Sequence, residues 1–477
     1  MIELVSDILQ YQGVKLQNPH HVTIPQGVTI VIGPNGAGKS TLGRIIEKGW
    51  NICTNKLRCE SGKLKIRSIE FYDIHSLAGF STAYYQQRYE SMMNDDVPTV
   101  GQIMCDRMDN ERWKQLCSKL RLNDIEEKRI NYLSSGELRK LLIVNLLMDL
   151  PDVLILDNPY IGLDSASRKL LDDTIAEIAS RGVDVIMLLC NTVDIPQYTT
   201  TVIPIDNLVI GRAVSRRGEI GNIRQSMTHL FDYAIDIDSL PHRDKTLPGD
   251  VDIVMNLNKC SVKYGNRTIL DEIDWTVRAG ECWALAGPNG SGKSTLLSLV
   301  YADNPQGYNN DITLFDRRRG TGETIWDIKS RIGYISPEMH LYFNTMSDVQ
   351  SMVAQGLNNT IGDFRRLTPQ QLAEAMRWLR ILHIEHLADR RFNTLSTGEQ
   401  RLALLARTFI KQPELLILDE PLHGLDMARK RSVRAIINHM TARDGLTLVY
   451  VTHYLPEVPE CVTRTKTLVG AVNMRGE

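Results

Sequence analysis

The feature that most constrains the fold of this chain is a long internal repeat. The stretch "VLILDNPYIGLD" begins at residue 153 and returns as "LLILDEPLHGLD" 262 residues later. Two further stretches return in the same order: "GPNGAGKST" (33–41) as "GPNGSGKST" (287–295), and "LSSGELRK" (133–140) as "LSTGEQRL" (395–402). The step from Gly136 to Asp157 and the step from Gly398 to Asp419 are both 21 residues. Matched order and spacing over this length indicate that a whole domain is duplicated.

The repeat divides the chain into two domains and a joining segment. We predict domains over 1–215 and 251–477, and a linker over 216–250 that ends in the turn-forming, acidic "LPGD". Within each half, continuously apolar runs such as "GVTIVIG" and "PELLILD" alternate with helical patterns. Strands of that kind are buried on both faces and are typical of parallel sheets. The predicted fold class is therefore α/β, with a mostly parallel sheet in each domain.

Each half carries a glycine-rich loop that can hold phosphate between a strand and a helix. In Gly-x-x-x-x-Gly-Lys-Ser, backbone N–H groups converge on the phosphates, and the helix directs its positive end at them. The lysine reaches the β- and γ-phosphate oxygens, and the serine offers a hydroxyl to Mg²⁺. The predicted ATP-binding residues of the two loops are Gly33, Asn35, Gly36, Gly38, Lys39, Ser40, Thr41, Gly287, Asn289, Gly290, Gly292, Lys293, Ser294 and Thr295.

An aspartate ends one apolar strand in each half, where a carboxylate can hold Mg²⁺ beside a nucleotide. We predict one magnesium site from Ser40 with Asp157 and another from Ser294 with Asp419. The "LSSGE" and "LSTGE" stretches each open an apolar helix, and alone they are equally well explained as helix N-caps. Their fixed distance from the aspartate favours a role in nucleotide binding.

In these motifs and in their order, each half resembles the nucleotide-binding domain of an ABC ATPase. The resemblance covers almost the whole chain, and it implies P-loop domains with antiparallel β and helical subdomains. It also implies that each ATP lies between the phosphate loop of one domain and the signature helix of the other. Site A would comprise the first phosphate loop with Gln87, Asp157, Ser396 and Gly398. Site B would comprise the second phosphate loop with Asp419, Glu420, His453, Ser134 and Gly136.

The two copies differ at the positions that this resemblance assigns to catalysis. Glu420 stands where the family has the carboxylate that orients and deprotonates water, and the first copy has Asn158 there. His453 stands at the switch histidine, where the first copy has Asn191. An amide cannot take a proton from water, and losing a general base typically costs about 10²–10⁴ in rate. We predict that site B turns over through Glu420, His453 and Lys293, while site A holds ATP; drift after duplication is the alternative for site A.

Three further assignments are weaker. Gln87 in "STAYYQQRYE" is the predicted Q-loop glutamine, with Gln86 as the alternative, but the second copy has Pro337 and Glu338 in that place. Tyr264 is the predicted adenine platform of the second domain, and Tyr11 is a weaker candidate in the first. Either tyrosine is explained almost as well as an ordinary core or surface residue. The arginines at 317–319 are best explained as a solvated hairpin, with a docking patch for an acidic partner or nucleic acid as the alternative.

The composition limits the class of protein. The chain is 43% hydrophobic and 23% charged, with a net charge of −2, which argues against bulk capture by nucleic acid or an anionic membrane. No apolar run reaches the roughly 20 residues that cross a bilayer, and the N-terminus lacks signal-peptide features. The eight cysteines are scattered, as in a reducing compartment. We expect a cytoplasmic protein, with peripheral attachment to the inner membrane left open.

Two stretches narrow the resemblance further. "NDITLFDRRRGTGETIWDIKSRIGYIS" (310–336) and "VTHYLPEVPECV" (451–462) resemble the duplicated ABC proteins of the ModF type, which carry names for molybdenum transport or photorepair. That resemblance implies an ATPase that uses ATP and Mg²⁺ to energise a separately encoded permease, although no molybdate ligand set is visible. The alternatives are a soluble mechanical switch acting on a ribosome or nucleic acid, and an ATP-binding protein with negligible turnover.

Overall fold

The computed structural model describes most of the chain. The described residues are 1–11, 13–48, 57–59, 64–70, 98–108, 110–120, 122, 125–130, 133, 135–148, 150–160, 165–215, 237–242, 251–264, 267–288, 290–337, 339, 343, 345–358, 366–452 and 457–469. Among these, no helix is both long enough and apolar enough to cross a membrane. The described residues form two compact units. The first holds the described parts of 1–233 and also Gly424–Arg429, and the second holds those of 234–423 and 430–477.

The first unit is built on parallel strands that are buried on both faces. Its strands are β1 (Ile2–Leu4), β2 (Ile8–Tyr11), β3 (Val14–Gln17), β4 (Thr23–Ile24), β5 (Val28–Ile32), β6 (Leu57–Cys59), β7 (Ile66–Glu70), β8 (Val153–Asp157), β9 (Asp184–Leu189), β10 (Thr201–Asp206) and β11 (Val209–Ile210). Its helices are α1 (Lys39–Lys48), α2 (Val100–Ile103), α3 (Cys105–Met108), α4 (Glu111–Lys119), α5 (Ser135–Met148) and α6 (Ser165–Ser180), with a 3₁₀ turn at Thr192–Asp194.

The main sheet of the first unit has the strand order β2-β3-β11-β10-β5-β9-β8-β7. The neighbours from β10 to β7 are all parallel. Every residue of β5 is buried, because helices cover a parallel sheet on both faces. Leu42 and Ile46 of α1 join the same apolar cluster as Ile155 of β8 and Leu188 of β9. This packing fixes the start of α1 beside the carboxyl ends of β5 and β8. A smaller antiparallel sheet has the order β4-β1-β6.

The second unit repeats this plan. Its strands are β12 (Ile253–Tyr264), β13 (Arg267–Arg278), β14 (Cys282–Ala286), β15 (Asp311–Leu314), β16 (Arg317–Arg318), β17 (Ile332–Ile335), β18 (Leu415–Asp419), β19 (Thr447–Val451) and β20 (Arg464–Thr467). Its helices are α7 (Lys293–Val300), α8 (Ile325–Arg331), α9 (Val349–Ala354), α10 (Pro369–Ile381) and α11 (Thr397–Phe409). Helix α12 (Met427–Asp444) begins within the 424–429 segment, and its residues from Lys430 onward belong to the second unit. The 3₁₀ turns are Ile237–Ser239, Pro305–Asn309, Gln355–Asn358, Glu385–Leu387 and Phe392–Thr394.

The five-stranded sheet of the second unit has the order β17-β18-β19-β14-β20, and all of its neighbours are parallel. The equivalent strands of the first unit, β7-β8-β9-β5-β10, follow the same order. A four-stranded antiparallel sheet, β13-β12-β15-β16, and the helices α9, α10 and α11 complete the second unit. The predicted fold class, a mostly parallel α/β sheet with antiparallel and helical parts in each copy, is therefore confirmed.

Candidate ATP-binding sites

The first phosphate loop joins β5 to α1 and holds its lysine over its own backbone. The ammonium of Lys39 donates hydrogen bonds to the carbonyl oxygens of Gly33 at 2.9 Å and Pro34 at 2.8 Å. Lys39 is buried, and this burial lowers the pKa of its ammonium, although the nearby Asp157 acts in the opposite direction. A buried cation of this kind gains favourable interactions when an anionic phosphate approaches.

The second phosphate loop, between β14 and α7, has the same arrangement. The ammonium of Lys293 donates to the carbonyl oxygens of Gly287 at 2.8 Å and Pro288 at 2.9 Å. Ser294 and Thr295 follow in the first turn of α7, as Ser40 and Thr41 do in α1. Asn289 lies outside the described residues. The two loops therefore present equivalent residues in equivalent positions.

The last glycine of each loop is favoured by its backbone conformation. Gly38 and Gly292 have φ values of 105° and 92°, in the left-handed region that favours glycine. A Cβ atom on Gly38 would lie 2.5 Å from Leu16, and one on Gly292 would lie 2.7 Å from Leu270. Gly36 and Gly290 also have left-handed backbones, with φ of 82° at both positions. Both loops therefore have the left-handed glycine backbone at equivalent positions.

A hydroxyl and a carboxylate oxygen meet beside each loop. Ser40 Oγ lies 2.5 Å from Asp157 Oδ2, and Ser294 Oγ lies 3.3 Å from Asp419 Oδ2. Burial raises the pKa of the Asp157 carboxyl, which the Ser40 hydrogen bond partly opposes. Hydroxyl and carboxylate oxygens are ligands that Mg²⁺ accepts together with phosphate oxygens. Both pairs therefore fit the predicted magnesium sites, in which the cation would neutralise phosphate charge.

The residue after each strand-ending aspartate has the same backbone in both copies but a different side chain. Asn158 and Glu420 have φ values of 47° and 48°, which are uncommon for residues other than glycine. Their backbone N–H groups donate, both at 2.9 Å, to the carbonyls of Leu188 in β9 and Val451 in β19. The amide of Asn158 donates to Asp157 Oδ1 at 2.9 Å. An identical scaffold thus presents an amide in one copy and a carboxylate in the other.

Two residues that the sequence patterns did not identify contact Glu420. His423 Nε2 lies 2.7 Å from Glu420 Oε2, and both side chains are largely buried. The fully buried guanidinium of Arg401 donates to the carbonyl oxygens of Asp419, Glu420, Pro421 and Ser336. A signal for Arg401 exists in the sequence, because Arg139 stands at the equivalent position of the first copy, inside another apolar helix.

The signature stretches do begin helices. Ser396 is the N-cap residue of α11, and its backbone N–H and hydroxyl both donate to the Glu399 carboxylate, at 2.8 and 2.7 Å. Gly398 is buried in the first turn of α11, and Gly136 lies in the first turn of α5. Ser134 lies outside the described residues. The N-cap explanation therefore holds for Ser396, and its role toward nucleotide stays a prediction.

The Q-loop, switch-histidine and adenine-platform assignments stay predictions. Gln87, Glu338 and His453 lie outside the described residues, so their roles stay predictions. The hydroxyl of Tyr264 accepts a hydrogen bond from Asn304 at 3.0 Å, and its ring is partly buried against the core. Tyr11 pairs with Lys48, whose ammonium lies 2.9 Å from the tyrosine hydroxyl.

The arginine run lies in and beside the two-residue strand β16. Arg317 pairs with Glu323, and Arg318 pairs with Asp311 at 3.1 Å. Arg319 donates to the carbonyl of Leu299 and stacks over Tyr308. Carboxylates within the same domain thus partner two of the three cations, which supports the hairpin explanation over a docking patch.

The first unit contains one more set of contacts at its phosphate loop. The backbone N–H of Asn35 donates to Asp426 Oδ2 at 3.1 Å, and its side-chain amide donates to the Gly424 carbonyl at 2.7 Å. The amide of Asn191 lies 3.5 Å from the Leu425 carbonyl in the same unit. The predicted ATP-binding residue Asn35 therefore contacts the segment that follows Glu420 in the chain.

Comparison with known proteins identifies the family. The model of the ABC transporter family matches residues 18–161 and 270–423, one match in each copy. The chain belongs to this family. Its ABC domains bind ATP, and the chain is an ATPase.

Two relatives share the tandem arrangement. The ABC transporter ATP-binding protein ModF of Escherichia coli (strain K12) is 34% identical over 445 residues, which cover 91% of this chain and 89% of that protein. An ABC transporter ATP-binding protein of Schizosaccharomyces pombe is 28% identical over 451 residues, with 91% and 90% covered. The predicted resemblance to duplicated ABC proteins of the ModF type is confirmed.

Solved structures of similar fold are also tandem ABC proteins. A model of ribosome-bound archaeal Pelota and ABCE1 matches with a TM-score of 0.64 at 17% identity, covering 98% of this chain and 77% of that one. The archaeal ribosome recycling factor ABCE1, in complex with a ribosomal stalk protein, matches with a TM-score of 0.55 at 16% identity, covering 96% and 86%. At these identities the likeness shows a shared fold.

Proposed function

We propose that this ABC ATPase hydrolyses ATP at site B and holds ATP at site A with little or no turnover. The observation that carries the proposal is the pair Asn158 and Glu420, which have the same backbone conformation and the same backbone hydrogen bond to the neighbouring strand. Only Glu420 has a side chain that can accept a proton from water. The domains would extend over 1–215 and 251–477, and each ATP would lie between the phosphate loop of one and the signature helix of the other.

At site B the residues of this chain divide the work of hydrolysis. Lys293 and the backbone of the second phosphate loop would bind the β- and γ-phosphates. Ser294 and Asp419 would hold Mg²⁺. Glu420 would orient a water molecule in line with the γ-phosphorus and take the proton that the water loses. The bond to the bridging oxygen then breaks, which gives ADP and phosphate.

Site A has the groups for binding and lacks the group for proton transfer. Lys39, Ser40 and Asp157 are arranged as their counterparts are in the second unit. The amide of Asn158 is engaged with the Asp157 carboxylate. Asn35 of the first phosphate loop bonds to Gly424 and Asp426, which follow Glu420 in the chain.

The proposal is tested with a matched pair of amide substitutions. Glu420→Gln should lower steady-state phosphate release by about 10²–10⁴-fold, while binding of a fluorescent ATP analogue is retained. Asn158→Gln lengthens the side chain at the equivalent position without adding a base, and its turnover should stay within about twofold of the parent, since it removes no proton acceptor. Full turnover in Glu420→Gln, or an equal loss in both variants, would contradict the assignment of hydrolysis to site B.

We further infer that hydrolysis energises transport through a permease encoded separately, from a cytoplasmic location. The support is the 34% identity to ModF, which is named as an ABC transporter ATP-binding protein. A mechanical switch acting on a ribosome or nucleic acid is the alternative. The observation that favours this alternative is Pro337, because the family has a glutamine at this position of the Q-loop, the loop that faces the permease.

Fractionation separates these two functions. The Glu420→Gln variant with ATP should accumulate in the ATP-bound state, and a lysate of the source cells can then be sedimented into membrane, ribosome and soluble fractions. Recovery with membranes, lost when Lys293 is also replaced by Ala, would support transport. Recovery with ribosomes, or in solution alone, would contradict transport and favour the switch.

A further inference from the structure

We propose that His423 is a positioning residue that holds the catalytic carboxylate of Glu420 in place. The inference rests on the proposed function of site B and adds a residue to it. His423 Nε2 lies 2.7 Å from Glu420 Oε2, so the two side chains are in direct polar contact. The side chains are 15% and 7% exposed, so water competes little for this contact. The imidazole contacts the carboxylate that is expected to activate water.

The backbone of Glu420 is held by hydrogen bonds at both its carbonyl and its N–H. The carbonyl of Glu420 accepts from Arg401 at 2.5 Å, and its N–H donates to the Val451 carbonyl at 2.9 Å. His423 then holds the far end of the side chain. A left-handed φ at a residue other than glycine persists where the surroundings determine it strongly. A carboxylate that is oriented before substrate arrives needs less reorganisation in the transition state.

The contact leaves the carboxylate able to act. The imidazole contacts Oε2, and an ionised carboxylate has acceptor capacity on both oxygens. Glu420 can therefore accept a hydrogen bond from the attacking water on Oε1 while Oε2 stays in contact with His423.

Comparison of the two copies argues against a purely structural role for His423. Ile161 stands at the equivalent position of the first copy, and "GLD" follows in both copies. The carboxylate and the imidazole thus occur in the same copy, and neither occurs in the other. A histidine needed only to form this stretch of chain would be needed in both.

The test compares His423→Ala with His423→Gln. His423→Ala should lower kcat by about 10–100-fold, as loss of a group that orients a reacting ligand typically does, with KM for ATP within about twofold of the parent. His423→Gln retains an N–H donor and should recover part of the loss. His386, exposed in the 3₁₀ turn Glu385–Leu387, provides the control. His386→Ala should leave kcat unchanged.

A double variant distinguishes positioning from general damage. In the Glu420→Gln background, His423→Ala should cause no further loss of single-turnover rate, because residues that act as a unit are not additive. Binding of the ATP analogue and the thermal midpoint should match those of Glu420→Gln alone. An unchanged kcat in His423→Ala, a further loss in the double variant, or no recovery in His423→Gln would each overturn the proposal. Full turnover in Glu420→Gln would instead overturn the proposed function of site B.

Discussion

The two units of this ABC ATPase share the strand order of their parallel sheets, and they differ in the side chains that follow two equivalent strands. Both have five parallel strands in the same order, and both phosphate-loop lysines donate to the same two carbonyls of their own loop. After β18 come Glu420 and His423, whereas after β8 the same positions are Asn158 and Ile161. The two copies therefore share the groups proposed to bind nucleotide and differ in the group proposed to hydrolyse it.

The largest expected difference between the copies is in the phosphate-loop lysines. Lys293→Ala should reduce turnover by at least about 10²-fold, because site B would lose both the contact to the transferred phosphate and its oriented charge. Lys39→Ala should halve the nucleotide bound per chain and reduce turnover only in part. Phosphate release and filter-bound nucleotide measure the two effects. If turnover is full in Lys39→Ala while that variant binds one nucleotide, site A is a remnant of duplication.

A smaller effect should follow from removing the buried arginine. Arg401→Met leaves buried carbonyls without their donor, at a cost of about 1–3 kcal/mol for each group left unpaired, and should lower the midpoint of urea unfolding. Arg318→Met removes an exposed ion pair with Asp311, worth about 0–1 kcal/mol. Denaturation followed by circular dichroism compares them. Equal midpoints for both variants would show that the guanidinium of Arg401 is not needed by the folded state.

The thiols of the two units should also differ in their dependence on pH. In the second unit, the interaction of Cys461 with the Cys282 thiol lowers the pKa of Cys461 to about 7. In the first unit, burial raises the pKa of Cys117 to about 11. Since the thiolate is the reactive form, the rate of iodoacetamide labelling at Cys461 should rise about tenfold from pH 6 to pH 8, with a midpoint near 7.

Labelling is followed at each cysteine by mass spectrometry. Cys117 should stay unlabelled over the same range, and Cys282→Ala should return the midpoint of Cys461 toward that of an ordinary thiol. A Cys461 midpoint that does not move in Cys282→Ala would exclude the hydrogen bond as the cause.

The smallest expected effect comes from restoring a carboxylate to the first copy. Asn158→Glu should raise turnover by no more than about twofold, because the first copy has Ile161 at the equivalent of His423 and no histidine directly after β9, where the second copy has His453 after β19. Turnover is measured in the Glu420→Gln background, where a gain from site A is visible. A return to parental turnover would show that one side chain alone separates the two sites.

Much of the fold, and the positions of the phosphate loops and strand-ending aspartates, could be predicted from the sequence. Each motif occurs in both copies at matched spacing, so each copy supports the assignment made in the other. A continuously apolar run that ends in an aspartate gives both the buried strand and the position of Asp157 or Asp419. Gly38 and Gly292 could be placed because few residues other than glycine adopt their backbone.

His423 and Arg401 could not be assigned in the same way. The direction of a histidine in a loop, or of an arginine in an apolar helix, depends on the packing around it, and a motif does not encode that packing. Alignment of the two copies gives the one sequence signal for these residues. His423 is replaced by Ile161 in the first copy, whereas Arg401 is matched by Arg139. Gln87 and His453 stay predictions for a different reason, since they lie outside the described residues.

Arg401 joins three parts of the second unit through one side chain. It projects from the signature helix α11 and bonds to the backbone at 419–421 and at Ser336, directly before Pro337. A displacement of α11 would strain or break the hydrogen bonds that join it to the backbone of Glu420. The guanidinium thus links the position of the signature helix to the position of Glu420 and of the segment before Pro337.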